Sequence, residues 1–187
     1  MKIILIRHGQ TDWNIEGKVQ GITDIPLNET GLQQAYKAKE ILTDYSFEKA
    51  IVSPLIRARQ TAQIVCAGRN IDITYDERIK ERNFGRFEGL SYKGNVEYRT
   101  GAWTLEEAHK LDTVEPYNEF YRRIADFLND LYSTHPDKSI LLVAHGGVSI
   151  AVAHYFKGIP KSGCLHEYIL DNCAVAEYDF DAEYGKE

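Results

Sequence analysis

The sequence predicts an α/β protein, a three-layer αβα sandwich around a mostly parallel central sheet. Three observations carry this. Short apolar runs that read as buried strands alternate along the chain with longer segments of helical periodicity. The chain has 187 residues, 43% hydrophobic and 27% charged, ordinary for a globular protein. Two of the apolar runs end in the same dipeptide, in Arg7-His8-Gly9 and in Ala144-His145-Gly146-Gly147. In open α/β sheets ligands bind at strand ends, so the two histidines are expected to meet at one pocket.

The elements follow in order. Lys2 to Ile6 reads as a buried strand, and Gly9 allows a sharp turn after it. Residues 9 to 27 form a polar loop, long enough to be functional. Asn28 suits a helix cap, and Leu32, Ala35, Tyr36 and Lys39 keep helical spacing toward Thr43. Ala50-Ile51-Val52 is a second strand, ended by Ser53-Pro54, and a helix follows from Ile56 to Ala67 before Gly68. The alternation in Ile71-Asp72-Ile73-Thr74-Tyr75 predicts a third strand. Residues 81 to 101, with four glycines, read as loop or broken structure. Thr104 to Glu107 has a capping-box pattern for a short helix. Pro116 suits the first turn of a helix whose apolar face is Phe120, Ile124, Phe127, Leu128 and Leu131. Ser139 to Val143 is the fourth strand, with a helix from Gly147 to about Phe156. The tail reads as two more strands, His166 to Leu170 and Ala174 to Tyr178.

This length points to one domain over residues 1–187, burying ~70% of the unfolded chain's surface. No internal repeat, low-complexity tract or linker interrupts it. A net charge of -6 argues against nucleic-acid binding, which wants a basic face, but leaves room for a small anion in a locally cationic pocket. Cys66, Cys164 and Cys173 have neither disulfide-framework nor metal-ligand spacing, which suits a reducing compartment. Four apolar residues before Arg7 are too few for a signal peptide, and no run approaches a membrane span. The expectation is a cytoplasmic protein with no membrane partner; monomer and homodimer both stay open.

Five residues carry the chemistry: Arg7, His8, Arg57, Glu81 and His145. Two guanidiniums and two imidazoles suit a phosphoryl dianion, since a guanidinium presents a planar fork of donors to its oxygens. The helix after His145 would aim its free N–H groups at the same anion. Glu81 is the one acid of the set, and acid/base work on a leaving oxygen needs one. His8 and His145 as metal ligands is the lesser reading, because two arginines would repel a cation. His109, His135, His154 and His166 read as structural or exposed, and Cys66 as core. Trp103 and Tyr117 are candidates for the pocket mouth, although packing is the commoner role.

The motifs around these residues resemble the histidine phosphatase superfamily, in its phosphoglycerate mutase-like branch. Arg7-His8-Gly9, followed by Thr11, Trp13 and Asn14, is similar to the family's signature. Ser53 to Ala62, Lys80 to Gly85 with Glu88-Gly89, and Ala144 to Gly147 are similar to its second, third and fourth motifs, in family order across nearly the whole chain. The resemblance implies a phosphoglycerate mutase-like fold and a phosphohistidine mechanism. His8 would be the nucleophile. Arg7, Arg57 and His145 would hold the phosphoryl oxygens. Glu81 would protonate the leaving alkoxide and then activate water. His8 must attack through a neutral nitrogen, so its other ring nitrogen needs an acceptor, expected to be a backbone carbonyl. Substrate contacts would come from Thr11, Asn14, Gln20, Gly21, Tyr92 and Gly146. No metal and no cofactor is implied, and the partner is a small-molecule phosphate monoester.

Departures from the mutase pattern favour a metal-independent phosphomonoesterase. Val19-Gln20-Gly21 stands where mutases usually carry Thr-Gly, and Tyr92 where they place a lysine, with Lys93 adjacent. Residues 94 to 115 lack the paired arginines that hold the mutase substrate, with Arg99 the one cation that partly substitutes. Asn172-Cys173-Ala174-Val175 looks like the short phosphatases. The variable segment 92–120 would form a lid over the leaving group; its mix of aromatics and acids disfavours a second phosphate on the substrate. A phosphoglycerate mutase, an α-ribazole phosphatase and a non-catalytic phosphate-binding module remain as alternatives.

Overall fold

A computed structural model describes residues 1–103 and 111–182. The sheet has five strands: β1 (Lys2–Arg7), β2 (Lys49–Val52), β3 (Asp72–Tyr75), β4 (Ser139–Ala144) and β5 (Val175–Asp179). Their spatial order is β3-β2-β4-β1-β5. The first four are mutually parallel and β5 runs antiparallel along β1. The helices are α1 (Asp12–Glu16), α2 (Glu29–Ile41), α3 (Ile56–Val65), α4 (Val96–Gly101), α5 (Tyr117–Thr134) and α6 (Gly146–Lys157).

Alternation along β1 assigns the layers. Ile3 and Leu5 join one buried cluster with Phe120, Ile124 and Leu128 of α5 and Val148 and Ile150 of α6. Ile4 and Ile6 join the other, with Ala35 and Ala38 of α2 and Ala58, Ala62 and Val65 of α3. Side chains two apart share a face, so an interior strand covered on both faces must be apolar throughout. That is why β1 and β4 read as unbroken hydrophobic runs. Helix α6 is buried from Gly146 to His154, and its run of small residues suits a helix enclosed all round. No helix among the described residues is long and apolar enough to cross a membrane.

Several local expectations change. The expected strand at His166–Leu170 is a 3-10 turn over Leu165–Tyr168. The place beside β1 is taken by β5, and the segment joins no strand of the sheet. The polar loop 9–27 contains α1, closed by a capping box between Thr11 and Asn14. Residues 81–101 are not all loop: they include a 3-10 turn at Gly85–Phe87 and helix α4. The capping-box segment Thr104–Glu107 and His109 lie outside the described residues.

Candidate active site

Register brings the two histidines together. Arg7 on β1 pairs directly with Ala144 on β4, so the next residue on each strand is a histidine leaving the same edge. The His8 and His145 ring centroids are 5.2 Å apart. Val52 on β2 pairs with Val143, which sets Ser53 beside His145. Ser53 Oγ lies 2.7 Å from His145 Nε2.

Hydrogen bonding assigns the His8 tautomer. His8 Nδ1 lies 2.7 Å from the Gly9 carbonyl, which can only accept, so Nδ1 carries the proton and Nε2 keeps its lone pair. The acceptor is thus the backbone carbonyl that the mechanism requires. At His145 the Ser53 hydroxyl can donate to Nε2 or accept from it; with Ser53 donating, Nδ1 is the N–H donor. Burial, Arg57 and Arg7 hold the His8 pKa well below that of an ordinary imidazole. Burial, Arg57, His8 and Arg7 do the same to His145. Both rings are therefore neutral at pH 7.

This neutrality predicts a pH dependence of stability. In the unfolded chain these histidines take up protons below about pH 6.5, while the folded protein resists. Stability is then complete above that pH and declines as pH falls below it, by about 1.4 kcal/mol per pH unit for each histidine. Denaturant unfolding between pH 7 and 5 should show a shallower decline in His8→Asn than in the native sequence. Parallel declines would mean that His8 is protonated within the fold.

Both arginines are held by carbonyls. Arg57 is fully buried and donates from Nη1 to Thr23 O at 2.8 Å and from Nη2 to Gly21 O at 2.7 Å. Arg7 donates from Nη1 to Leu170 O at 2.6 Å. Burial lowers both pKa values, that of Arg57 to about 10, which leaves each guanidinium charged at pH 7. Arg7 Nε, Arg57 Nε and His145 Nδ1 are buried and have no hydrogen-bond partner among the described residues. Such groups cost free energy unless something supplies the acceptor, and three of them near His8 suit an anionic ligand.

Glu81 stands across the cavity on the segment after β3. Its Oε1 accepts from Arg82 N at 2.8 Å and its Oε2 from Gly147 N at 2.9 Å, so both oxygens are aimed. A Cβ at Gly147 would lie 2.2 Å from Glu81 Oε1, so any side chain there would push the carboxylate off its place. Behind Glu81, Arg123 donates to the carbonyls of Arg78, Lys80 and Glu81 while paired with Glu115. The guanidinium thereby fixes the backbone that carries the acid.

An inner cavity of about 150 Å³ is lined by Arg7, His8, Asn14, Gln20, Gly21, Arg57, Glu81, Tyr92, Gly146 and Gly147, among others. It opens to an outer cavity of about 570 Å³ lined by Tyr92, Tyr98, Arg99, Trp103, His166 and Ile169 together with Arg7 and Asn14. Nearly every expected site residue is thus brought together, with His145 wholly buried against His8.

Thr11 is the exception. It is fully buried and lines neither cavity. Its hydroxyl accepts from Asn14 N at 3.3 Å, as an N-cap oxygen does. Its own N–H holds the Asn14 side-chain oxygen at 3.0 Å, so Thr11 orients Asn14 and leaves the amide nitrogen as the end available to a ligand. His166 is exposed, as expected, yet it packs on Trp103 at 4.7 Å between centroids and lines the outer cavity. Trp103 lines both cavities, whereas Tyr117 lies behind it, beside His154.

Sequence reasoning assigned no role to Ser53, Arg123 or Asn172, whose amide donates to the His8 carbonyl at 3.0 Å. For Ser53 a signal existed, a polar residue directly ending a strand. For Arg123, on the far helix α5, there was none.

Comparison with known proteins gives the family. The family model for the histidine phosphatase superfamily (branch 1) matches residues 3–186. A Bacillus subtilis protein named as the uncharacterized phosphatase PhoE is 36% identical over 181 residues, covering 97% of this chain and 89% of its own length. Among solved structures, YhfR of Bacillus stearothermophilus has a TM-score of 0.85 at 26% identity, covering 97% of this chain and 92% of the other. A mutant phosphoserine phosphatase of Entamoeba histolytica, in complex with phosphoserine, has a TM-score of 0.82 at 29% identity, covering 98% and 92%.

Proposed function

The chain belongs to branch 1 of the histidine phosphatase superfamily and is a phosphoric monoester hydrolase, and from that premise we propose that His8 carries the phosphoryl group between a small alcohol ester and water. The observation that supports this most is the set of buried nitrogens without partners among the described residues, Arg7 Nε, Arg57 Nε and His145 Nδ1, near a histidine with a free Nε2 lone pair.

In the first step His8 Nε2 forms a bond to phosphorus as the P–O bond to the alcohol breaks. Glu81 gives its proton to the departing oxygen. The three donors follow the negative charge on the phosphoryl oxygens. In the second step the Glu81 carboxylate takes a proton from water, whose oxygen bonds phosphorus as the P–N bond breaks. Inorganic phosphate leaves, and His8 returns to its neutral form. The cationic side chains do the charge work, so the reaction needs no metal. Asn14, Gln20, Gly21, Tyr92 and Gly146 contact the substrate, and the segment 92–120, of which residues 104–110 lie outside the described residues, acts as lid over the leaving group. The three free thiols suit a cytoplasmic setting.

A panel of phosphate monoesters with EDTA present tests this reading. It includes 3-phosphoglycerate with a trace of bisphosphorylated primer, and both phosphate and the 2-isomer are followed. The expected result is phosphate release undiminished by EDTA and little isomer. Dominant isomer formation would make the protein a mutase, and loss of turnover with EDTA would overturn metal independence.

A further inference from the structure

Arg57 is the buried cation of the phosphoryl site, and among the described residues no carboxylate pairs with it. Its two terminal nitrogens grip the carbonyls of Gly21 and Thr23 instead. A direct ion pair would spend the guanidinium's charge on a protein anion, whereas two carbonyls orient it and leave the charge for the phosphoryl group. The segment presenting those carbonyls must then be held by something else, and Glu88 holds it. Glu88 Oε1 accepts from Ile22 N at 3.0 Å and from Phe84 N at 3.0 Å. Its Oε2 accepts from Thr23 N at 2.8 Å and from the Thr23 hydroxyl. The approach is close enough that Gly21, at φ +55°, has no room for a Cβ, which would lie 1.9 Å from Glu88 Oε1. At the other end of the segment, Asp24 Oδ1 accepts from Ile56 N at 2.6 Å, at the start of the helix that carries Arg57.

We propose that Glu88 is a positioning residue for phosphoryl transfer, fixing the Arg57 guanidinium through the backbone of residues 21–23. The inference rests on Arg57 binding the phosphoryl group, as in the function proposed above. Glu88 itself touches no substrate. It supplies the acceptor array that turns a loop into a rigid cradle, and charge-assisted bonds to three backbone N–H groups suit that task.

A double-mutant cycle reads this, with inorganic phosphate binding measured by calorimetry and kcat/KM on an alkyl monoester. Glu88→Gln is expected to weaken phosphate binding and lower kcat/KM by about tenfold each. In an Arg57→Met background the same change should cost less than about threefold, because the residue it acts through is gone. A role in stability alone predicts equal losses in both backgrounds, and that result would overturn the proposal. If Glu88→Gln does not fold, Thr23→Val, which removes only the hydroxyl bond, enters the same cycle under the same criterion. Coupled phosphate binding without turnover of any ester would defeat the phosphatase reading and leave this one standing. Additive losses in an active phosphatase would do the reverse.

Discussion

His8→Ala should lose kcat by about 10⁴-fold or more while still binding inorganic phosphate, because the lone pair it removes makes the first bond. In the proposed mechanism Arg7 and Arg57 carry the anion, and neither donates to His8. The same substitution should abolish the adduct trapped by quenching with labelled ester. That adduct is expected to survive alkali and fall apart in acid, as phosphorus bonded to an imidazole nitrogen does. Retained turnover, or label that persists in the variant, would place the nucleophile elsewhere. Phosphate binding serves as the folding control, since its loss would show a collapsed site rather than a missing nucleophile.

The second large effect belongs to Glu81, and it depends on the leaving group. Glu81→Gln should slow an alkyl monoester by about 10²- to 10⁴-fold, the usual contribution of a positioned acid. A nitrophenyl ester, whose leaving group departs without a proton, should lose less than about tenfold in its first step. Glutamine keeps the size of the side chain but turns an NH₂ toward one of the two N–H donors, Arg82 N or Gly147 N, that now hold the carboxylate. Glu81→Ala is therefore measured beside it. Equal losses on both esters in both variants would show that Glu81 shapes the cavity and moves no proton.

These effects come from residues legible in the chain, and the reason is local. A strand buried on both faces must be apolar, so β1 and β4 announce themselves, and the polar residue where each stops is conspicuous. The helix α5 was equally plain, with Phe120, Ile124, Phe127, Leu128 and Leu131 at helical spacing and all buried. Short elements were harder. α1 has five residues, too few for periodicity to show, and only its Thr11–Asn14 cap marks it. The segment before β5 carries a short apolar run, Tyr168-Ile169-Leu170, and so short a run does not by itself separate a strand from a turn.

By itself the sequence determined the alternating architecture, the two strand-end histidines and the residue types that a phosphoryl dianion needs. Identity and spacing are properties of the chain, and burial dictates them residue by residue. Tertiary structure alone decided which nitrogen of His8 is free, because that depends on the position of the Gly9 carbonyl. It alone decided that Thr11 holds Asn14 rather than substrate, and that Arg123 and Glu88 stand behind the acid and the cation. Hydrogen bonds act over about 3 Å and turn on angle. Such contacts between residues tens of positions apart exist only once the sheet register has set where each backbone atom lies.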